Sequence, residues 1–245
     1  MACFCGRPAG PSGLCPYHDP ACAKDRRCRS RLVFVADCER CNLPGGEVTD
    51  TPPRLSGARI HGPLIVYFVV GDVDVRGARG VDLYVYSVRG GVYGEGSRFR
   101  HIYVDQLAGD LSMASARFDS LVASGVSGRV SLAGARAGGH VYVGDVRGEV
   151  DLGGAEAAGE VGVDRVRGGV RAGGRFYSLV LHGVEGDVDL SVLKIEGDVF
   201  LVGVSGDRLD LSGAEVGGRV FLLESRFRGV RVDRREVLKK VVLVG

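Results

Sequence analysis

From about residue 62 onward, apolar residues stand two positions apart with a polar residue or glycine between them. The motif returns roughly every ten residues. Its first inward positions read Val73, Leu83, Val92, Ile102, Leu111, Leu121, Val130, Val141, Val150, Val161, Val170, Leu179, Val188, Val199, Leu209, Val220 and Val230. Alternation of this kind is the period of a half-buried strand, and every second step sums to roughly 20 residues. Stretches such as LAGARAGGHVYVGDVRGEV and LGGAEAAGEVGVDRVRGGV display the unit. A unit this short cannot bury its apolar side alone, so stacked copies must share one core. The pattern therefore predicts a mostly β chain, a β-solenoid with two strands per coil and about 20 residues per coil. Small residues at one corner (Ala135, Ala155, Ala214) face larger ones at the other (Val146, Val166, Val204), and glycine, 40 of 245 residues, supplies the bends.

The outward positions sort into two columns. One reads Asp74, Tyr93, Ser112, Ser131, Asp151, Arg171, Asp189, Asp210 and Arg231, a solvated face. The other reads Tyr84, Tyr103, Val122, Tyr142, Gly162, Val180, Phe200 and Phe221. An aromatic and apolar stripe on the outside of a rod marks a partner face, with a homodimer or a docked protein as occupant. Cover by the chain's own linker or C-terminal segment is the competing reading.

The flanks bound the repeat. Residues 44–61 hold paired glycines, a Pro-Pro and no period, and read as a linker between a module at 1–43 and the solenoid at 62–232. Residues 233–245 read as a C-terminal cap, with a capping box at Asp233 and Glu236 and an apolar Val-Val-Leu-Val that also suits a last strand. Roughly eight coils at about 4.8 Å make a rod of about 40 Å.

All seven cysteines precede residue 42. With His18 they give eight N/S donors: Cys3, Cys5, Cys15, His18, Cys22, Cys28, Cys38 and Cys41. Structural zinc takes four such ligands, so the count suits two ions. Read in order, the sets are Cys3, Cys5, Cys15, His18 and then Cys22, Cys28, Cys38, Cys41. An interleaved arrangement, with Cys3, Cys5, Cys38 and Cys41 around an inner Cys15, His18, Cys22 and Cys28, fits the spacing as well. A disulfide framework is the competing assignment, against which stands the odd number of cysteines. Four protein ligands leave no open position for water, so these sites are structural.

Between the ligands, KDRRCRSR displays Lys24, Arg26, Arg27, Arg29 and Arg31, cations suited to RNA phosphates; a merely solvated loop is the competing reading. The elements CFCGRP, GLCPYH and VFVADCERCN resemble the N-terminal zinc-binding region of the Nmd-three family of large-ribosomal-subunit adaptors. The resemblance covers about the first 45 residues, and it departs in the initial C-x-C, in His18 for a cysteine and in the lack of a fourth pair after Cys41. It implies binding to the ribosome, through rRNA. The repeat in turn resembles bactofilin-type or pentapeptide-type solenoids, which implies a self-associating scaffold instead.

Composition adds little that is specific. Net charge is +2, so no global field announces a polyanion or a membrane. One Asn, one Gln and two Met suit a protein that works hot, in a thermophilic archaeon or bacterium. The longest apolar run, Leu64–Val70, is far short of the ~20 residues of a membrane span, and no secretory signal leads the chain; a cytoplasmic location follows. No P-loop, G-x-S-x-G or H-E-x-x-H occurs, and a non-enzymatic chain with no small-molecule substrate is expected.

Overall fold

The computed structural model describes residues 7–29 and 35–244, the side chains of Ala23 and Arg29 excepted. It is a β-solenoid of about 11 turns with about 19 residues per coil, half of the chain in strands and 5% in helices. The inter-coil pairing is parallel throughout and in register, except for one shift between Ala157 and Glu160. In the long ladder Leu64, Leu83, Ile102, Leu121, Val141, Val161, Leu179, Val199, Val220 and Val241 lie directly over one another. In a second ladder Val73, Val92, Leu111, Val130, Val150, Val170, Val188, Leu209 and Val230 do the same. Side chains of these columns form one continuous core, closed to solvent until the last coil, where Val230 is exposed.

Each coil also closes through a third, two-residue ladder, such as Arg117–Phe118 over Arg136–Ala137. Its inward column runs Phe99, Phe118, Ala137, Ala157, Phe176, Ile195, Val216, all buried. That variation in size hides the ladder from a search for repeated valine and leucine.

Residues 44–61, read from sequence as a linker, belong to the solenoid. Gly46–Thr49 pairs with Leu64–Tyr67, and Leu55, Ala58 and Ile60 are core residues. These coils lengthen the stack beyond the eight expected. At the other end a short helix (α3, Arg235–Leu238) buries Val237, and Val241–Val244 adds a last strand on Val220–Leu223. The expected capping box does not form: the N-cap is Arg234 without a side-chain cap bond, and Asp233 pairs with Arg231 at 3.2 Å.

Two of the corners differ in what they ask of glycine. At one, Asp50, Phe68, Ser87, Gln106, Asp145, Arg165 and Glu224 take left-handed φ of 49–64°, as Gly125, Gly183 and Gly203 do in the other coils. Glycine is not required there, contrary to the expectation that it supplies every bend. At the other it is. A Cβ on Gly90, Gly109, Gly128, Gly148, Gly168, Gly186 or Gly206 would fall on the backbone carbonyl of the glycine one coil below. Among the described residues no helix is long and apolar enough to cross a membrane.

Candidate metal centre and outer face

The N-terminal segment folds as turns and two short helices. Pro20–Lys24 (α1) starts at Asp19, whose carboxylate accepts from the Ala21 amide at 2.8 Å. The Ser12 hydroxyl and that amide hold the Asp19 carboxyl below its ordinary range. The second helix, Arg26–Arg29 (α2), follows directly. Cys15 begins a turn in which its carbonyl accepts from His18 at 2.9 Å and Asp19 at 3.0 Å.

Cys38 and Cys41 come from the solenoid. Asp37 bridges to Arg54 and Asn42 pairs with Arg59, so Cys38 lies in register with Leu55 and Cys41 with Ala58. Between them Arg40 takes φ 54°, the left-handed turn that Gly57, Gly77 and Gly96 take in the following coils. The C-x-x-C is thus the corner of the first turn, with cysteines at two positions that are aliphatic one coil on. Both are buried. His18 lies against them: its Nε2 is 3.3 Å from Cys41 Sγ, its Nδ1 is 3.1 Å from the Sγ of fully buried Cys15, and the donor atoms of His18, Cys38 and Cys41 lie within 4.8 Å of one another. Asn42 ties the two parts together, its amide nitrogen donating to the Tyr17 carbonyl at 2.9 Å.

This grouping differs from both partitions drawn from spacing. His18 joins Cys38 and Cys41, whereas Cys22 and Cys28 pair with each other across the two helices. The sulfurs of Cys22–Cys28 and of Cys38–Cys41 lie at disulfide distance, with Cα separations of 5.1 and 5.6 Å. The donor atoms of His18, Cys38 and Cys41 are buried, N/S in kind and close enough together to hold one metal ion, with Cys15 against the other ring nitrogen of His18. Cys3 and Cys5 lie outside the described residues. So does Arg31, and so does the side chain of Arg29; Lys24, Arg26 and Arg27 are exposed, the two arginines on α2 rather than on a loop.

The outer face takes the register read from the sequence. Tyr84, Tyr103, Val122, Tyr142, Gly162, Val180, Phe200 and Phe221 form one column of the long ladder, continued by Ile65 and Val242. Phe200 and Phe221 stack with ring centroids 4.9 Å apart. The next outward column, which the sequence reading did not follow, divides the face in three. It holds Tyr67 and Tyr86 at one end, then Asp105, Ser124, Gly144, Asp164 and His182, then Val202 and Leu223. In the middle, Asp164 accepts from the Tyr142 hydroxyl at 3.1 Å and contacts Arg165 and His182. Burial and that bond to Asp164 push the Tyr142 hydroxyl up. The ends of the face are therefore tyrosine-rich and aliphatic-aromatic, with a polar belt between. The chain matches no protein-family model, no curated protein and no solved structure, so the resemblance of its first 45 residues to the Nmd-three family gains no support from a relative.

Proposed function

We propose that the chain is a non-enzymatic scaffold: a β-solenoid that associates with a second copy through its outer face, its first coil closed by a metal-held Cys/His centre. The observation that carries this is the face itself. Val180, Phe200, Phe221, Val202 and Leu223 sit half-buried on adjacent coils in two in-register columns, and neither Gly46–Thr49 nor Val241–Val244 lies over them, both being rungs of the same ladder. Flat apolar surface in stacked, rigid coils suits another rod laid alongside. The fold supports a scaffold-like repeat protein, whereas nothing in it supports the ribosome reading, which rested on the basic segment and the zinc-region resemblance.

The test is the mass of the protein in solution by light scattering after size exclusion. Wild type is expected as a dimer or larger. Phe200→Asp with Phe221→Asp is expected as a folded monomer, because neither ring belongs to the core column. A monomeric wild type overturns the proposal, as does a variant that keeps the assembly.

A further inference from the structure

The third ladder carries an outward column that neither the solvated face nor the aromatic face includes. Its rungs, in register, are Arg59, Arg79, Arg98, Arg117, Arg136, Glu156, Arg175, Lys194 and Glu215. In the second half of the column the charges are of both signs and, Arg175 excepted, pair. Arg136 Nε is 3.5 Å from Glu156, and Glu215 is 3.3 Å from both Lys194 and Arg234, which hold its carboxyl below the ordinary range. In the first half they do not. Arg59, Arg79, Arg98 and Arg117 are all exposed, stacked on consecutive coils, and none makes an ion pair or a side-chain hydrogen bond among the described residues.

Like charges directly opposite on neighbouring strands destabilise a sheet. Here four lie in single file at about 4.8 Å intervals, a span of about 14 Å. The fold does not require it, since the same column accommodates Glu156 and Glu215 two and five rungs beyond Arg117. Such a row is complementary to a linear polyanion. It is one arginine wide: the next outward column on this face holds His61, Val81, Asp119 and Gly138 beside it, with Arg100 already paired to Asp82 at 3.2 Å. A plane of lipid headgroups would press on Asp119, whereas a single strand need not. Five residues along the chain from Arg98, around one corner, the same coils present Tyr84, Tyr86 and Tyr103, with ring centroids 5.4–6.5 Å apart. The three tyrosines are half-buried, and aromatic rings near a cationic track are how proteins hold unpaired bases.

We infer that this half of the solenoid binds single-stranded nucleic acid, the phosphates following Arg59, Arg79, Arg98 and Arg117 and bases stacking on the tyrosines. This surface is separate from the aliphatic-aromatic end of the outer face, so the inference stands or falls apart from self-association. The experiment is fluorescence anisotropy of a labelled oligothymidylate with the full-length protein across a salt series. Binding is expected, with a log–log salt slope of about −3 for four phosphates. In Arg79→Gln/Arg98→Gln/Arg117→Gln the slope should flatten to about −1 and affinity at low salt should fall roughly tenfold or more. Replacing the same three by lysine should keep most of the binding. An equal charge removal at the far end, Arg208→Gln/Arg219→Gln/Arg226→Gln, should leave binding near wild type. Four results overturn the inference: no binding at low salt, equal losses in the two glutamine variants, loss in the lysine variant, or tighter binding of heparin or phosphatidylserine vesicles than of the oligonucleotide.

Discussion

Replacing Gly148 by alanine tests whether the stacking itself dictates glycine. A Cβ there would fall on the Gly128 carbonyl, 2.8 Å from its carbon and 3.2 Å from the Arg129 nitrogen, all of them backbone. Backbone cannot rotate away, so the coil must lift. The nearest bonds that hold it down are Arg147 N–H to Val126 O at 2.9 Å and Val130 N–H to Glu149 O at 2.9 Å. Overpacking costs about 1–3 kcal/mol, and weakening one or two such bonds adds about 1 kcal/mol each. The smaller entropy of the unfolded chain returns roughly 0.4–1 kcal/mol, leaving a net loss of about 2–4 kcal/mol. Gly203 is the control. It has φ 59° with nothing within 4 Å of its would-be Cβ, and Phe68, Ser87, Gln106, Asp145, Arg165 and Glu224 occupy the equivalent position in other coils. Alanine there should cost about 1 kcal/mol or less after the same entropic offset. Urea titrations followed by circular dichroism would measure both, and Tm should fall by about 2–4 °C per kcal/mol. If Gly148→Ala costs no more than Gly203→Ala, the steric argument for the glycine column is refuted.

Two further predictions concern charge and metal. Hydrogen bonds from Arg76 and Arg165 hold the carboxyls of Asp74 and Asp145 below the ordinary aspartate range. The stability they contribute is therefore complete above about pH 4 and is lost as pH falls through the depressed values; acid titration of Arg76→Gln/Arg165→Gln should show a shallower loss than wild type, and an unchanged curve would refute the assignment. Reduced protein should carry two equivalents of zinc, as its eight N/S donors allow, one of them held at His18, Cys38 and Cys41. His18→Ala should release the first ion and keep the second, whereas metal-free protein whose thiols appear only on adding reductant would establish the disulfides instead.

The core columns were legible because a residue buried between identical neighbours above and below has few options, so Val, Ile and Leu recur at a fixed interval. The two outward columns followed from the same count, and their registers match the observed pairing. The third ladder escaped because it contributes one inward residue per coil, ranging from Ala137 to Phe176. Without it the arginine file had no column to appear in, although Arg98, Arg117 and Arg136 stand 19 residues apart in the chain. Residues 44–61 read as a linker because Pro53 stands where the next coil has Val73, while Leu55 and Ala58 keep core positions. The grouping of ligands was beyond any reading of spacing, since His18 meets Cys38 and Cys41 only through the register that Asp37 and Asn42 make with Arg54 and Arg59.

Because every coil retraces the backbone path of the one beneath it, the rod has a natural unit of length. Inserting one whole coil between Gly128 and Gly148 would separate everything on either side by a further ~4.8 Å without turning it. An insertion of any other size would rotate the distal part and carry the arginine file and the aromatic column to different sides of the axis. Distance and bearing are thus inherited separately in this architecture. Whole-coil duplications adjust the reach of a surface, and partial ones change where it points.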